Sequence, residues 1–261
     1  MPNESIDSAT HEHMHLADRI SRRQMLARAS LAAAATTATA TALVGASPAS
    51  ALGVFPASTI QDMIDLLPPE GGVVTIPAGS YVGSRLVVRD GVMLQGQGWN
   101  TIIPPFVESF LPRFGISLRD LAVDWTNITV DILAEQYGVD WRYISNGSML
   151  NVKISGGTHG LLVDFSARHN VFTGTFAEAT QVGVELYGVD NDGPFGNAFV
   201  GGRFTAPICL MLRGSCQANS FFGIIFEGPG PQVIDRQVKV NSDQVIGCFA
   251  LLPDGSLFQT V

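Results

Sequence analysis

Apolar and polar positions follow two different periods along this chain, and the change falls near residue 70. In "ASTIQDMIDLLPPE", Ile60, Met63, Ile64 and Leu67 recur at helical spacing, so a helix over 58–67 carries one apolar face. Ser58 and Gln61 stand at capping-box spacing, and Pro68-Pro69 ends the helix. From "GGVVTIPAGSY" onward the alternation is of period two. "SRLVVRDG" and "VMLQGQG" continue it as brief β runs punctuated by Gly, Pro and Asp, with no room for crossover helices between them. Strands this short must pair with segments elsewhere along the chain.

Internal repetition supplies the partners. "NVFTGTF" (170–176), "NAFVGGRF" (197–204), "NSFFGIIF" (219–226) and "DQVIGCF" (243–249) share Asn or Asp, an aromatic or Val two places on, and Gly four places on. The intervals are 27, 22 and 24 residues, which suits one turn of a coil, and "NVKISGG" (151–157) reads as a weaker earlier copy. If each turn stacks in parallel on the last, equivalent side chains lie roughly 4.8 Å apart. Asn amides then bond one another, Phe172, Phe199 and Phe221 or Phe222 stack inside, and Gly174, Gly201, Gly223 and Gly247 relieve the corners.

The predicted fold is therefore all-β: a single-stranded, right-handed parallel β-helix (solenoid) with a short N-terminal capping helix, which covers the strand edges and core that an open end would expose. The order helix, "PPEGGVVTIPAGSY", "LVVRDGVMLQGQGWNTII" resembles the N-terminal part of the pectate lyase-like β-helix superfamily. The resemblance covers 58–103, and 151–249 through the repeat; residues 104–150 do not share it.

Aligning "GLLVDF" (160–165), "GVELYG" (183–188) and "CLMLRG" (209–214) as equivalent strands turns Leu161/Val163, Val184/Leu186 and Leu210/Leu212 inward. Two outward columns remain, Leu162-Glu185-Met211 and Asp164-Tyr187-Arg213. They read either as a sugar-binding wall or as a solvated face with ordinary cross-strand charge pairs. Asp164 and Glu185, on adjacent turns and two residues apart along the strand, would lie roughly 8 Å from each other, a separation that suits an inverting carboxylate pair. The loop "YGVDNDGPFGN" crowds Asp190 and Asp192 beside Asn191; it reads as a Ca²⁺ site or as a plain turn.

The superfamily resemblance implies action on acidic polysaccharide. Its lyases abstract the proton beside a neutralised uronate carboxyl with a Lys, Arg, His or Tyr base. Lys153, His159 and Arg213 are the base candidates here, with Asp164, Glu185 and Tyr187 in support and Asp190 and Asp192 as calcium ligands. The chain departs from the W-x-D-H pattern of calcium pectate lyases and from the acid and G-H-G set of polygalacturonases. A polysaccharide lyase-like enzyme leads, with a non-catalytic glycan-binding or adhesion β-helix and an inverting glycoside hydrolase as alternatives. Trp99, Trp125 and Trp141 could stack on sugars or fill the core and its ends.

Composition narrows the partners. The 46% hydrophobic and 15% charged content describes a globular chain, and a formal charge of -8 gives a nucleic-acid partner no electrostatic support. Cys209, Cys216 and Cys248 form no spaced metal-ligand set and read as small buried hydrophobes. Residues 1–51 read as an export signal: Arg22-Arg23 precede the Ala/Thr-rich "SLAAAATTATATALVGA", and "SPASA" supplies a cleavage pattern ending at Ala51. "SRRQMLA" resembles the twin-arginine pattern S-R-R-x-F-L-K, with Met25 and Ala27 as departures, which implies passage through the Tat machinery in folded form and a domain spanning 52–261.

Overall fold

The computed structural model describes residues 53–107, 112–127, 137–155, 157–189, 192–229, 233–238, 243–251 and 256–259; the segment 1–51, expected to be an export signal, lies outside them. The chain winds as a right-handed parallel β-helix. Its long sheet stacks Ser117–Asp124, Ser148–Ser155, Val171–Glu178 and Ala198–Thr205 in parallel, then continues through Ile225–Glu227 and Phe249–Leu251. A second sheet stacks Tyr137–Arg142, His159–Asp164, Val182–Gly188, Ile208–Gly214 and Ile234–Val238. A narrow third face pairs Arg113–Phe114 with Ile144–Ser145 and continues through single bridges at Arg168, Phe195 and Gln217. The segment 104–150, unmatched by the repeat, thus supplies strands of all three faces.

The predicted stacking is present side chain by side chain. Phe199 lies between Phe172 and Phe221, with ring centroids 4.4 and 4.7 Å away and planes within 15°, so the rings repeat at the strand pitch. Phe221, and not Phe222, takes the inner place. Trp141 is fully buried and meets Phe172 edge-on at 5.7 Å.

Beside the rings runs a buried amide ladder. Asn170 donates its backbone N–H (3.0 Å) and its Nδ2 (2.9 Å) to Asn197 Oδ1. Asn197 does the same to Asn219 Oδ1 at 3.1 and 2.9 Å, and Asn219 to Asp243 Oδ1 at 2.7 and 3.0 Å. The second Nδ2 hydrogens go back to the carbonyls of Ile144, Ala167 and Pro194. An asparagine meets this demand because its side chain accepts and donates at once. The ladder starts at Gly147, whose N–H donates to Asn170 Oδ1 at 2.8 Å.

Asn151 is no member of that ladder. It lies in the column of bends, where Asp120, Asn151, Gly174, Gly201, Gly223 and Gly247 all have φ between 50° and 63°. Asn and Asp are the side chains that tolerate this left-handed conformation, which is why they stand in for glycine on the earlier turns.

The capping helix runs Ser58–Asp65 and buries Ile60 and Ile64. Its start differs from the capping-box expectation: Ala57 is the N-cap and no side chain caps it. Gln61 serves an edge strand instead, accepting from Val87 N–H (3.0 Å) and donating to Val87 O (3.2 Å). Arg89 closes the other end by donating to the carbonyls of Ile64 and Leu67. At the C-terminal end Leu257–Gln259 turns back antiparallel on Phe249–Leu251, so that edge is paired.

Candidate functional site

The register of the long sheet sets Lys153, Phe176 and Arg203 at one position on three successive strands. Two residues further along, Glu178, Thr205 and Glu227 form a parallel row. Both rows face outward, because the left-handed bend at Asn151, Gly174 and Gly201 resets the alternation and turns Val152, Ile154, Ala177 and Phe204 to the core. Together with Trp99 these side chains line a cleft of about 360 Å³.

Trp99 comes from the loop after Val92–Gln95. Gly96 lets that loop lie against the next turn, since a Cβ there would sit 2.4 Å from the Asp120 carbonyl. The Trp99 indole N–H donates to Asn151 O at 3.2 Å, and its ring meets Phe176 in a T at 4.8 Å. At the far end Glu227 Oε2 accepts from Thr205 Oγ (3.1 Å) and pairs with Arg203 at 3.4 Å. That ion pair is half-exposed and contributes little to stability, so a ligand can compete for it at small expense. Lys153 makes no ion pair among the described residues.

A second polar group occupies the outer side of the second sheet. The register sets Asp140, Leu162, Glu185 and Met211 in one column, with Arg142, Asp164, Tyr187 and Arg213 beside it. These are the predicted columns, yet their carboxylates are not solvated: Asp140 and Asp164 are 3% exposed and Glu185 0%. Buried carboxylates need partners. Arg142 Nε spans both Asp140 oxygens at 2.8 Å. Glu185 is gripped by Arg213, which also lies over the Tyr187 ring at 4.7 Å, and by His159 Nε2 at 3.2 Å. Asp164 accepts the Phe165 N–H at 2.5 Å. Burial pushes its carboxyl up to about 7; the Phe165 N–H and Arg142 oppose the rise, while Asp140 and Glu185 add to it.

The structure therefore divides the residues singled out from the sequence. His159, Asp164, Glu185, Tyr187 and Arg213 come together on the second sheet, and Lys153 alone faces the cleft. Asp190 lies outside the described residues. Asp192 is exposed, and its Oδ1 takes the Ser166 hydroxyl and Arg168, so the described oxygen already has a cation. Among the described residues no group of three or more His, Cys, Asp or Glu is placed to hold a metal ion. The cysteines are free and buried, and burial pushes the Cys216 thiol up to about 12. Sequence reasoning missed Glu178, Glu227 and the association of Trp99 with Lys153. The signal was present in "NVK", "GTF" and "GGR", which align once Asn151 is matched to Gly174 and Gly201.

No protein-family model and no curated protein matches the chain. Among solved structures, ORF18 of Geobacillus virus E2 superposes with a TM-score of 0.58 at 17% identity, over 73% of this chain and 48% of that one. The Agl-KA catalytic domain gives 0.45 at 13% identity, over 78% and 49%. The A-module of the Azotobacter vinelandii mannuronan C-5 epimerase AlgE4 gives 0.39 at 15%, over 80% and 88%. The chain spans about half the length of the first two. The viral likeness is one of fold, and identity this low carries no activity across.

Proposed function

We propose that this chain is an exported, carbohydrate-active member of the pectate lyase-like β-helix proteins, which binds a uronate-containing glycan in the long-sheet cleft and cleaves it by β-elimination. The observation that carries this reading is the placement of Lys153, Phe176 and Arg203 on successive strands beneath Trp99. Aromatic rings and a few convergent polar groups in a concave site are what sugar recognition requires. Arg203 leaves its weak partner Glu227 to hold the substrate carboxylate, which acidifies the neighbouring C–H. The Lys153 amine takes that proton. The carbon–carbon double bond forms as the bond to the glycosidic oxygen breaks, and the departing oxygen takes a proton from Glu178 or water. His159, Asp164, Glu185, Tyr187 and Arg213 hold the opposite wall of the coil. Export by the twin-arginine route places the protein in the periplasm, at the cell surface or outside the cell. The Asp190/Asp192 loop would hold calcium, which would add positive charge beside an acidic substrate.

A second reading rests on the other row of the cleft. Glu178 and Glu227 lie two strand spacings apart, roughly 9.6 Å between backbones, from which their flexible side chains can bring the carboxyl groups to the roughly 6.5–9.5 Å of an inverting pair. One assay separates the two. Uronate polymers are incubated with the protein, with and without chelator, while absorbance from the new double bond and reducing ends are both followed. Elimination gives both signals, and Lys153→Ala lowers the rate at least about 100-fold while binding persists. Reducing ends without absorbance establish hydrolysis. Binding with neither signal establishes a glycan-binding or adhesion protein, and no binding to any uronate polymer overturns the proposal. A calcium requirement appears as loss of activity in chelator.

A further inference from the structure

Among the described residues the cleft has a wall at one end only. The outward column that forms its floor reads Ile102, Ala122, Lys153, Phe176, Arg203, Ile225 and Phe249 from the N-terminal turns to the C-terminal ones. The floor begins at Lys153; Ala122, one strand earlier and also facing outward, is 6% exposed and does not line the cleft. An outward alanine on a sheet is buried only when something lies over it. The Trp99 loop packs at Gly96 against Asp120 and Leu121, beside Ala122, and crosses from there to bond the Asn151 carbonyl and reach the Phe176 ring, so it borders this stretch of the floor. In the other direction the column runs on past Arg203 to Ile225 and to Phe249, which is 41% exposed.

Resting on the reading given above, we infer that the cleft receives the end of a glycan chain and not its interior. The terminal sugar packs against Trp99 and Phe176. The rest of the chain leaves along the coil axis over Arg203, Ile225 and Phe249. A cleft of about 360 Å³ holds one to two sugars, which fits a terminal pocket better than an open groove. Cleavage then releases small products from one end, and Trp99 is the residue that sets this specificity.

The test uses the full chain and size-defined uronate oligosaccharides from two to six sugars, together with the parent polymer. The Lys153→Ala variant reads binding without turnover. Affinity is expected to level off by about the third sugar, and viscosity of the polymer to lag well behind product formation. Trp99 is 42% exposed on a surface loop, so Trp99→Ala leaves the core intact. That variant should bind the dimer about tenfold more weakly and should cut internally, with viscosity falling as the first product appears. Trp99→Phe keeps part of the wall and should retain the terminal pattern. Affinity that climbs through the sixth sugar, or early viscosity loss by the unmutated protein, overturns end recognition and leaves the uronate reading standing. No binding to any member of the series overturns both.

Discussion

At Gly201 and Gly202 two neighbouring residues of one type serve opposite needs. Gly201 has φ 63° and a Cβ there would meet open space, so only the backbone conformation favours glycine. Asn151 and Asp120 occupy the same column on earlier turns at φ 53° and 50°. Gly201→Asn is therefore expected to cost less than about 1 kcal/mol. Gly202 combines φ 108° with a Cβ position 2.1 Å from the Thr175 carbonyl oxygen, which is backbone and cannot turn aside. Gly202→Ala should cost at least about 3 kcal/mol, and chemical denaturation of the two variants side by side checks the contrast. Asp164 gives a pH prediction of definite sign. Its carboxyl moves from an ordinary value of 3.8 when unfolded to about 7 when folded, so the folded state prefers the protonated form. Below pH 4 the residue is protonated in both states and does not oppose folding. Stability is lost as pH rises from 4 through 7 and is level above that. Asp164→Asn can still accept the Phe165 N–H, and its denaturation midpoint should fall less than the parent's across that window.

Among the elements, the amide ladder and the ring stack were the most legible in the sequence. Their legibility has a physical cause: stacking in parallel at a fixed pitch forces the same side chain to recur wherever a pair of neighbours must satisfy each other. Asn170, Asn197, Asn219 and Phe172, Phe199, Phe221 are such cases. The turn through Ser117–Asp124 escaped notice because it carries neither signature; Leu118 and Met149 extend the ring column, and Asp120 and Asn151 replace the bend glycine. The helix start was misjudged because Gln61 has a tertiary partner in Val87 that local spacing does not reveal. Asn197→Ala removes four hydrogen bonds at once and leaves the buried backbone N–H of Asn170 without its acceptor, while Asn170 Nδ2 keeps only Ile144 O and the Ala167 carbonyl keeps only the Phe195 N–H. A loss of about 3 to 5 kcal/mol is expected, with thermal unfolding as the measurement.

On the scale of the whole molecule, two faces of one coil carry two kinds of polar chemistry. The second sheet keeps its carboxylates buried and sets partly exposed arginines against them, as Glu185 beside Arg213 shows. The long sheet leaves Lys153 and the loosely paired Arg203 open to a ligand. Aligning the strands of the second sheet required only consecutive repeats, so its columns could be read in advance. The cleft could not be read in the same way, because Trp99 reaches it from a loop over fifty residues before Lys153, and no local pattern records that crossing. Only the register of the long sheet brings the pieces together.

The ladder has a consequence for how such a chain can change in length. The interval from Asn197 to Asn219 is 22 residues, and each asparagine donates to the next through the same two groups and accepts from the one before through Oδ1. Excising 197–218 would hand Asn170 directly to Asn219 with the same chemistry on either side of the junction, and duplicating that segment would add a storey. Genes of this kind can therefore grow or shrink by whole modules while every joint stays matched, and the length of the outward face becomes a heritable variable of its own.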